Sequence, residues 1–470
     1  MKEESLGRQL DQLPIGKWHW KIFFLIGFGL QINGFLNSSG STILADLVDK
    51  GWSNNFFNAL FSSGMMVGFF LGSIGGGILG DKIGRKKAYQ LSLFIFALFS
   101  LLAGLAIDIY FLVFCRFAMG IGMGAGIVIG YASFTEFIPA RVRGPWSAKI
   151  SLLGNCSPLI AALVSYLVIP IFGWRMIFLI GSIASFIMLL LVNKFLDESP
   201  RWCIENNQKE KGEEILKKVI HETGVNQRFP HVANRETNNV SSVKEKKEKK
   251  PIPLKDFFKG DLGRRTLVAT TVLIAMNISL YTITVWIPTI FVNSGIDIAK
   301  SLLMTTIMMV GAPLGVFASM FIMDIFPRKW LGVALILLLA LLGYIYSLQT
   351  SEIMIVVIGA ILIFILYIYN SFASAVYAPE LWSTQTKMRG SGISNSIGRI
   401  VAILMPYLIA WLLTNFSITV VFIVLGILLS ICALILAVFG IETRKKSVEE
   451  IAYSKSKKFS HELVEEIKTY

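Results

Sequence analysis

Charge is scarce in this chain. Only 16% of its 470 residues are Asp, Glu, Lys or Arg, against a hydrophobic share of 54%. A soluble domain carries roughly 25% charge, so this chain cannot cover a folded surface with water-loving side chains. No Asp or Glu lies in the deep part of any long apolar block, which excludes the paired buried carboxylates of acid–base catalysis. The four cysteines, Cys115, Cys156, Cys203 and Cys432, lie in apolar blocks or just beyond one. None has metal-ligand spacing, so they read as core fillers. The four histidines, His19, His221, His231 and His461, sit at block edges or in polar segments. No nucleophile–histidine set remains, so no enzyme, catalytic residue, metal or cofactor is expected. A cleavable signal peptide is missing too. Met1 to Lys21 is polar, and the apolar stretch after it has no small-residue cleavage site. The first helix would then be its own targeting signal.

What the chain has instead is apolar blocks as long as those from Ala88 to Ile107, Met176 to Val192 and Val420 to Phe439. A membrane-spanning helix needs about 20 such residues. Helices are expected near 20–45, 56–79, 88–106, 110–136, 148–171, 174–196, 266–292, 300–323, 330–348, 353–377, 391–414 and 417–440. The fold class is therefore an all-α membrane protein with twelve transmembrane helices. The net charge of +14 would suggest nucleic acid in a soluble chain, but its placement reads differently and no nucleic-acid partner is expected. With the N-terminus inside, the short inner loops carry eleven Lys and Arg, among them Lys82, Arg85, Lys86, Lys87, Arg141, Arg143 and Lys149. The short outer loops carry three, Lys50, Arg175 and Lys300. The positive-inside rule then puts both termini in the cytoplasm. The expected location is the plasma membrane, the inner membrane in a bacterium, and the expected state is a monomer bathed in lipid.

One long polar segment, 197–265, divides the chain into a tail (1–19), a first bundle (20–196), the cytoplasmic central loop, a second bundle (266–440) and a second tail (441–470). It holds the charge run from Lys244 to Lys250, which reads as a solvated tether or, less commonly, a contact for anionic lipid or a partner. The two bundles repeat each other. Asp81, three residues and Arg85-Lys86 follow helix 2, and Asp324, three residues and Arg328-Lys329 follow helix 8. Glu136 with Arg143-Gly144 follows helix 4, and Glu380 with Arg389-Gly390 follows helix 10. The offset is 243 residues from Asp81 to Asp324 and 244 from Glu136 to Glu380, so the halves form two pseudo-symmetric six-helix bundles, a transporter plan that places the site between them near the midplane.

These residues resemble a known family. Gly77-x-x-x-Asp81-Lys-x-Gly84-Arg85-Lys86 is similar to the loop 2–3 signature of the major facilitator superfamily. Arg116-x-x-x-Gly120-x-Gly122-x-Gly124, Glu136-x-x-Pro139-x-x-x-Arg143-Gly144 and Asp197-Glu198-Ser199-Pro200-Arg201-Trp202 resemble its sugar-porter branch and the organic-ion and niacin-type (aromatic acid) carriers related to it. The resemblance covers both halves and implies the major facilitator fold and transport by alternating access. In gating terms, Asp81, Arg85, Glu136, Arg143, Asp324, Arg328, Glu380 and Arg389 all fall at cytoplasmic helix ends. Opposite charges there can bridge the halves when that side is shut and must part when it opens, at about 1 kcal/mol a pair. Read more plainly, they set topology and cap helices. The glycines of helices 2 and 4 read as packing seams.

Two arginines, Arg116 in helix 4 and Arg399 in helix 11, lie away from the membrane edges. An intramembrane cation is costly and marks a function by default, and a guanidinium fork matches a carboxylate. Arg116 has a second reading, as a cap on carbonyls or a side chain reaching the outer interface. Gly398-Arg399 to Pro406 resembles helix 11 of the organic-anion and niacin-type carriers, where the resemblance implies that a charged residue tracks the charge of the substrate. The pattern departs from proton-coupled sugar porters twice. Helix 1 has no acid around Asn33 and Asn37, and Ala275-Met276 stands where sugar porters carry a glutamine pair. The expected function is carriage of a small organic anion, with or without a coupling ion. The substrate-binding candidates are Asn33, Asn37, Arg116, Asn155, Asn277, Tyr281, Trp286, Tyr369, Asn370 and Arg399. The rivals are a sugar or polyol carrier and, in another class, a nutrient receptor that binds without transporting.

Overall fold

In the computed structural model the described residues are 14–139, 142–206, 208–222, 254–323, 325–382 and 386–444. Among them, twelve helices are long and apolar enough to cross a membrane. The first six are α1 (Lys17–Asp49), α2 (Asn55–Ile83), α3 (Arg85–Gly104), α4 (Ile109–Phe137), α5 (Pro145–Phe172) and α6 (Trp174–Phe195). The second six are α7 (Gly260–Asn293), α8 (Ile298–Ile322), α9 (Arg328–Ser347), α10 (Glu352–Glu380), α11 (Arg389–Asn415) and α12 (Ile418–Phe439). Each covers one of the apolar blocks of the sequence. A helix bonds its own backbone, which is the condition for crossing hydrocarbon. With an even number of spans, α1 starts and α12 finishes at one end of the bundle, the near end; the other is the far end. At the far end Asn54 accepts the N–H of Phe57 at 3.0 Å, and Asp108 accepts that of Phe111 at 2.8 Å. Those caps fix where α2 and α4 begin.

Within the first half α2 and α4 meet along glycines. A Cβ on Gly72 would lie 2.7 Å from the Ile121 Cα, so the seam is backbone against backbone. Gly311 of α8 stands the same way against α10, where a Cβ would lie 2.9 Å from the Phe364 amide nitrogen.

The halves join toward the far end and separate toward the near end. α7 packs on α1, α11 on α2 and α8 on α5. The apolar core around Phe61, Met65 and Phe96 takes in Leu302 and Ala402 from the second half. There the Ser63 hydroxyl donates to the Ile403 carbonyl at 2.7 Å, and the Asn55 amide donates to Thr414 at 3.2 Å. The core around Trp18, Ile26 and Phe134, toward the near end, takes in no residue of the second six helices among the described residues.

Three spans are interrupted near the centre. α5 breaks at Cys156 ahead of Pro158, and α8 breaks at Val310 ahead of Pro313. A proline has no N–H for the carbonyl four residues back, here those of Gly154 and Met309. In α10, Phe372–Tyr377 forms a π-turn in which the Ala378 N–H bonds the Ala373 carbonyl.

The polar segment after α6 is helical in its first part. Pro200–Glu205 and Lys209–Glu222 are helices. Trp202, Leu216 and Val219 are buried in the core that holds Trp18 and Val192. Lys21 pairs with Glu222 at 2.8 Å and Lys218 with Asp197 at 2.7 Å. The apolar spacing of Ile215, Leu216 and Val219 gives a helix with one buried face, a pattern masked by the surrounding charge. The run from Lys244 to Lys250 and both chain ends lie outside the described residues. α7 starts at Gly260, ahead of the expected 266, and so carries Arg264 and Arg265 on the helix.

Candidate functional site

A cavity of about 390 Å³ lies between the halves, lined by α1, α4 and α5 on one side and α7, α8, α10 and α11 on the other. Its lining residues nearer the far end, Thr42 and Thr305, are buried, whereas Ser374 and Asn395 nearer the near end are exposed. The cavity therefore opens at the near end and is closed at the far end by the joint core. The breaks described above feed it. Asn155, Ser157 and Pro158 line it around the interruption of α5, Met309 at that of α8, and Ser374 within the π-turn of α10.

Six of the ten binding candidates come together here: Asn37, Asn155, Asn277, Tyr281, Asn370 and Arg399. The Arg399 guanidinium lies 4.0 Å from the centre of the Phe69 ring and close to the Tyr281 hydroxyl. A ring face and a phenol stabilise a cation without neutralising it. Among the described residues no carboxylate pairs with Arg399 or lines the cavity.

The other four stand outside the lining. Arg116 is 3% exposed; its Nη1 donates to the Leu36 carbonyl at 3.2 Å, and its guanidinium sits 4.4 Å from the Phe61 ring centre. It thus takes the carbonyl-capping place that was the second reading for it. Tyr369 is buried, and its hydroxyl donates to the Val272 carbonyl at 3.0 Å, tying α10 to α7. Trp286 is buried in the core of the second half. Asn33 is 1% exposed, packed between helices with its Oδ1 unbonded.

The near-end charges form one cluster in each half. Arg85 pairs with Asp81 at 2.6 Å and with Glu136 at 2.9 Å. The Ser199 hydroxyl donates to Glu136 at 2.6 Å, and Glu198 accepts the Arg85 and Lys86 N–H groups at 2.8 and 3.2 Å. A carboxylate on a helix N-terminus is favoured by the exposed N–H groups and the dipole. Gly84 permits it: its φ is +97°, and a Cβ there would lie 3.0 Å from the Glu198 carboxyl carbon. In the second half Arg328 stands 3.5 Å from Glu380, the Thr443 hydroxyl donates to Glu380 at 2.6 Å, and Glu442 accepts the Arg328 and Lys329 N–H groups at 2.8 and 3.1 Å. All these bonds stay within one half, so in this open arrangement they brace each bundle rather than bridge the two. Arg389 is exposed; Asp324 and the Arg143 side chain lie outside the described residues.

Several participants escaped the sequence reading. Asn395 lies one helical turn before Arg399 on α11, a spacing that could have flagged it. Glu442-Thr443 repeats Glu198-Ser199 at the same 244-residue offset as Glu136 and Glu380. Tyr131 and Tyr367 also line the cavity, and no sequence signal separates them from buried tyrosines.

Residues 20–454 match the family model described as "Sugar (and other) transporter". The chain is 50% identical over 453 residues to the inner membrane metabolite transport protein YdjE of Escherichia coli, covering 96% of this chain and 98% of that protein. It is 26% identical over 453 residues to the niacin transporter NiaP of Acinetobacter baylyi, covering 95% of this chain and 99% of that one. Among solved structures, the D-xylose–proton symporter superposes with a TM-score of 0.70 over 92% of this chain and 100% of that chain, at 17% identity.

Proposed function

The chain belongs to the sugar (and other) transporter family of the major facilitator superfamily, and from that premise we propose that it carries a small organic anion, a carboxylate, by alternating access. One observation carries the reading. Arg399 faces a cavity between the halves with no carboxylate beside it among the described residues. A cation within a span and without a counter-charge is costly, and an anionic substrate removes that cost when it enters. Asn37, Asn155, Asn277, Tyr281 and Asn370 orient the remainder of the molecule. Arg116, Asn33, Trp286 and Tyr369 act on it through packing. The niacin transporter among the relatives is named for a small carboxylate, which agrees with this substrate class.

We place the near end in the cytoplasm, on the count of eleven basic loop residues against three. The arrangement described is then the inward-facing one, and the two charge clusters hold each bundle rigid while the cavity stands open. Cysteines introduced on the helix Lys209–Glu222 should react only with reagents that reach the cytoplasm; labelling from outside intact cells would reverse the orientation.

The test of substrate charge is binding and uptake by purified protein in proteoliposomes. Wild type should accumulate a labelled carboxylate, and Arg399→Ala should lose both binding and uptake while remaining folded. A neutral or cationic substrate whose affinity ignores Arg399→Ala would end the organic-anion reading. The neutral-sugar reading is kept by one feature, the amide-rich wall opposite and around Arg399. Binding without accumulation would favour a receptor.

A further inference from the structure

The hydrogen-bond polarity of the cavity wall narrows the anion further. A hydroxyl has one proton and two lone pairs, and several hydroxyls on this wall have already given their proton away. Thr284 donates to the Leu280 carbonyl at 2.7 Å, Thr305 to that of Ser301 at 2.8 Å, and Ser374 to that of Asn370 at 2.7 Å. Ser157 donates to the Gln31 Oε1 at 3.0 Å. Three of the five asparagines on the wall behave alike. Asn155, Asn277 and Asn395 each donate Nδ2 to the carbonyl four residues back, at 2.9, 2.7 and 2.9 Å. Only the amide NH2 can donate to a carbonyl, so the chemistry fixes which amide atom is left over. It leaves each Oδ1 as a spare acceptor on a residue that lines the cavity. Asn277 and Asn395 both stand one helical turn from the cationic corner, four residues before Tyr281 and Arg399 respectively.

The wall is thus rich in acceptors around a single fixed cation. Its ligand must bring a negative group for Arg399 and several hydrogen-bond donors for the acceptors. Ammonium donors do not suit it: among the described residues no carboxylate lines the cavity, and Arg399 repels a second cation. A bare aromatic acid does not suit it either. It brings no donors, and it leaves the spare acceptors unpaired whichever of the lining rings of Tyr131, Tyr281 and Tyr367 it stacks on. Hydroxyl groups meet the requirement, since each gives a proton to an acceptor and takes one from the remaining asparagine N–H.

We propose that the substrate is a polyhydroxylated aliphatic carboxylate, a sugar acid, with its carboxylate on Arg399 and its hydroxyl protons on the amide oxygens of Asn277, Asn395 and Asn155. The proposal rests on the organic-anion reading and gives it a chemical class. The cavity, about 390 Å³, falls within the range of small-molecule sites.

The experiment is calorimetric titration of the purified full chain in detergent with gluconate, galactonate and xylonate, against benzoate and glucose. At least one aldonate should bind about tenfold or more tightly than benzoate, because benzoate leaves the wall acceptors unpaired, and glucose should bind more weakly than that aldonate. Asn395 is exposed, so Asn395→Ala removes one acceptor without emptying a core. It should weaken the aldonate about tenfold at unchanged thermal stability. Benzoate binding as tightly as every aldonate, and depending on Arg399, would overturn the sugar acid and leave the anion standing. Glucose binding with neither kind of acid doing so would overturn both. An aldonate affinity untouched by Asn395→Ala would overturn the placement of its hydroxyls.

Discussion

Each half of the molecule carries one arginine away from the ends of a span, Arg116 and Arg399, and the two have opposite surroundings. Arg116 of the first half is enclosed by rings and bonded to a carbonyl of α1. Arg399 of the second half rests one face on Phe69 and lines the cavity between the bundles. Both lie well inside their spans; what differs is that Arg116 is enclosed by protein while Arg399 faces the cavity. On the proposed function, the enclosed cation is structural and the one facing the cavity waits for a ligand. The near-end clusters repeat the lesson on a smaller scale. Their residues correspond one for one, yet Glu136 holds Arg85 through two nitrogens at 2.9 and 3.1 Å, while Glu380 stands 3.5 Å from Arg328.

The arginine pair gives the largest expected effect. Arg399→Ala should cut affinity for the anion by about 100-fold or more, the loss expected for one partner of a desolvated charge pair. Arg399→Lys should recover little, because the ammonium keeps the charge and loses the fork. Arg116→Ala should instead lower thermal stability and yield while the surviving protein binds normally. Equal loss of affinity in both variants, at unchanged stability, would put Arg116 in the site and undo the contrast.

The glycine seams sharpen the comparison next. Gly72→Leu forces a side chain into the Ile121 backbone and should cost about 1–3 kcal/mol or abolish insertion. Gly75, where a Cβ meets nothing, should accept Ala with no measurable change in thermal unfolding.

Gating should show a smaller asymmetry. Glu136→Gln should reduce turnover about fivefold, matching a pair worth about 1 kcal/mol, and Glu380→Gln should reduce it less. Asp81→Asn should lower turnover more than substrate affinity, since it biases the two arrangements and leaves the cavity alone. Normal turnover with lost affinity in Asp81→Asn would place that residue in binding instead of gating.

Much of the architecture was legible because its signals are coarse. Apolar blocks of about 20 residues between charged loops define spans whatever packs on them, and the Asp-to-Arg-Lys repeat exposed the two halves. The rotation of each helix was not legible. α4 is apolar and glycine-rich all round, so nothing in its composition told whether Arg116 faced a cavity or Phe61. The same limit applies to Tyr369 and Trp286. Asn277, Asn155 and Asn370 lay at legible depths, but only the folded chain turns them toward one space with Asn395. The docked helix Lys209–Glu222 was hidden because its few apolar residues sit among lysines and glutamates.

That docked helix has no described counterpart in the second half, and it yields the smallest effect. Two forces hold it to α1 and α6: the burial of Leu216 and Val219, at 4% and 0% exposure, and the ion pairs Lys21–Glu222 and Lys218–Asp197. The Asp197 carboxylate raises the Lys218 ammonium above its usual value, yet that pair is partly exposed and contributes little. Lys21→Ala should therefore cost about 0.5 kcal/mol or less, a change seen only as slightly faster proteolysis within residues 209–222. Leu216→Ala removes buried apolar surface and should cost about 2 kcal/mol of docking, releasing the helix to protease while the twelve spans stay folded. If Lys21→Ala loosened the helix as much as Leu216→Ala, charge rather than burial would be its anchor. Rising salt would then free the helix from the wild-type protein, whereas docking by burial holds or tightens as salt increases.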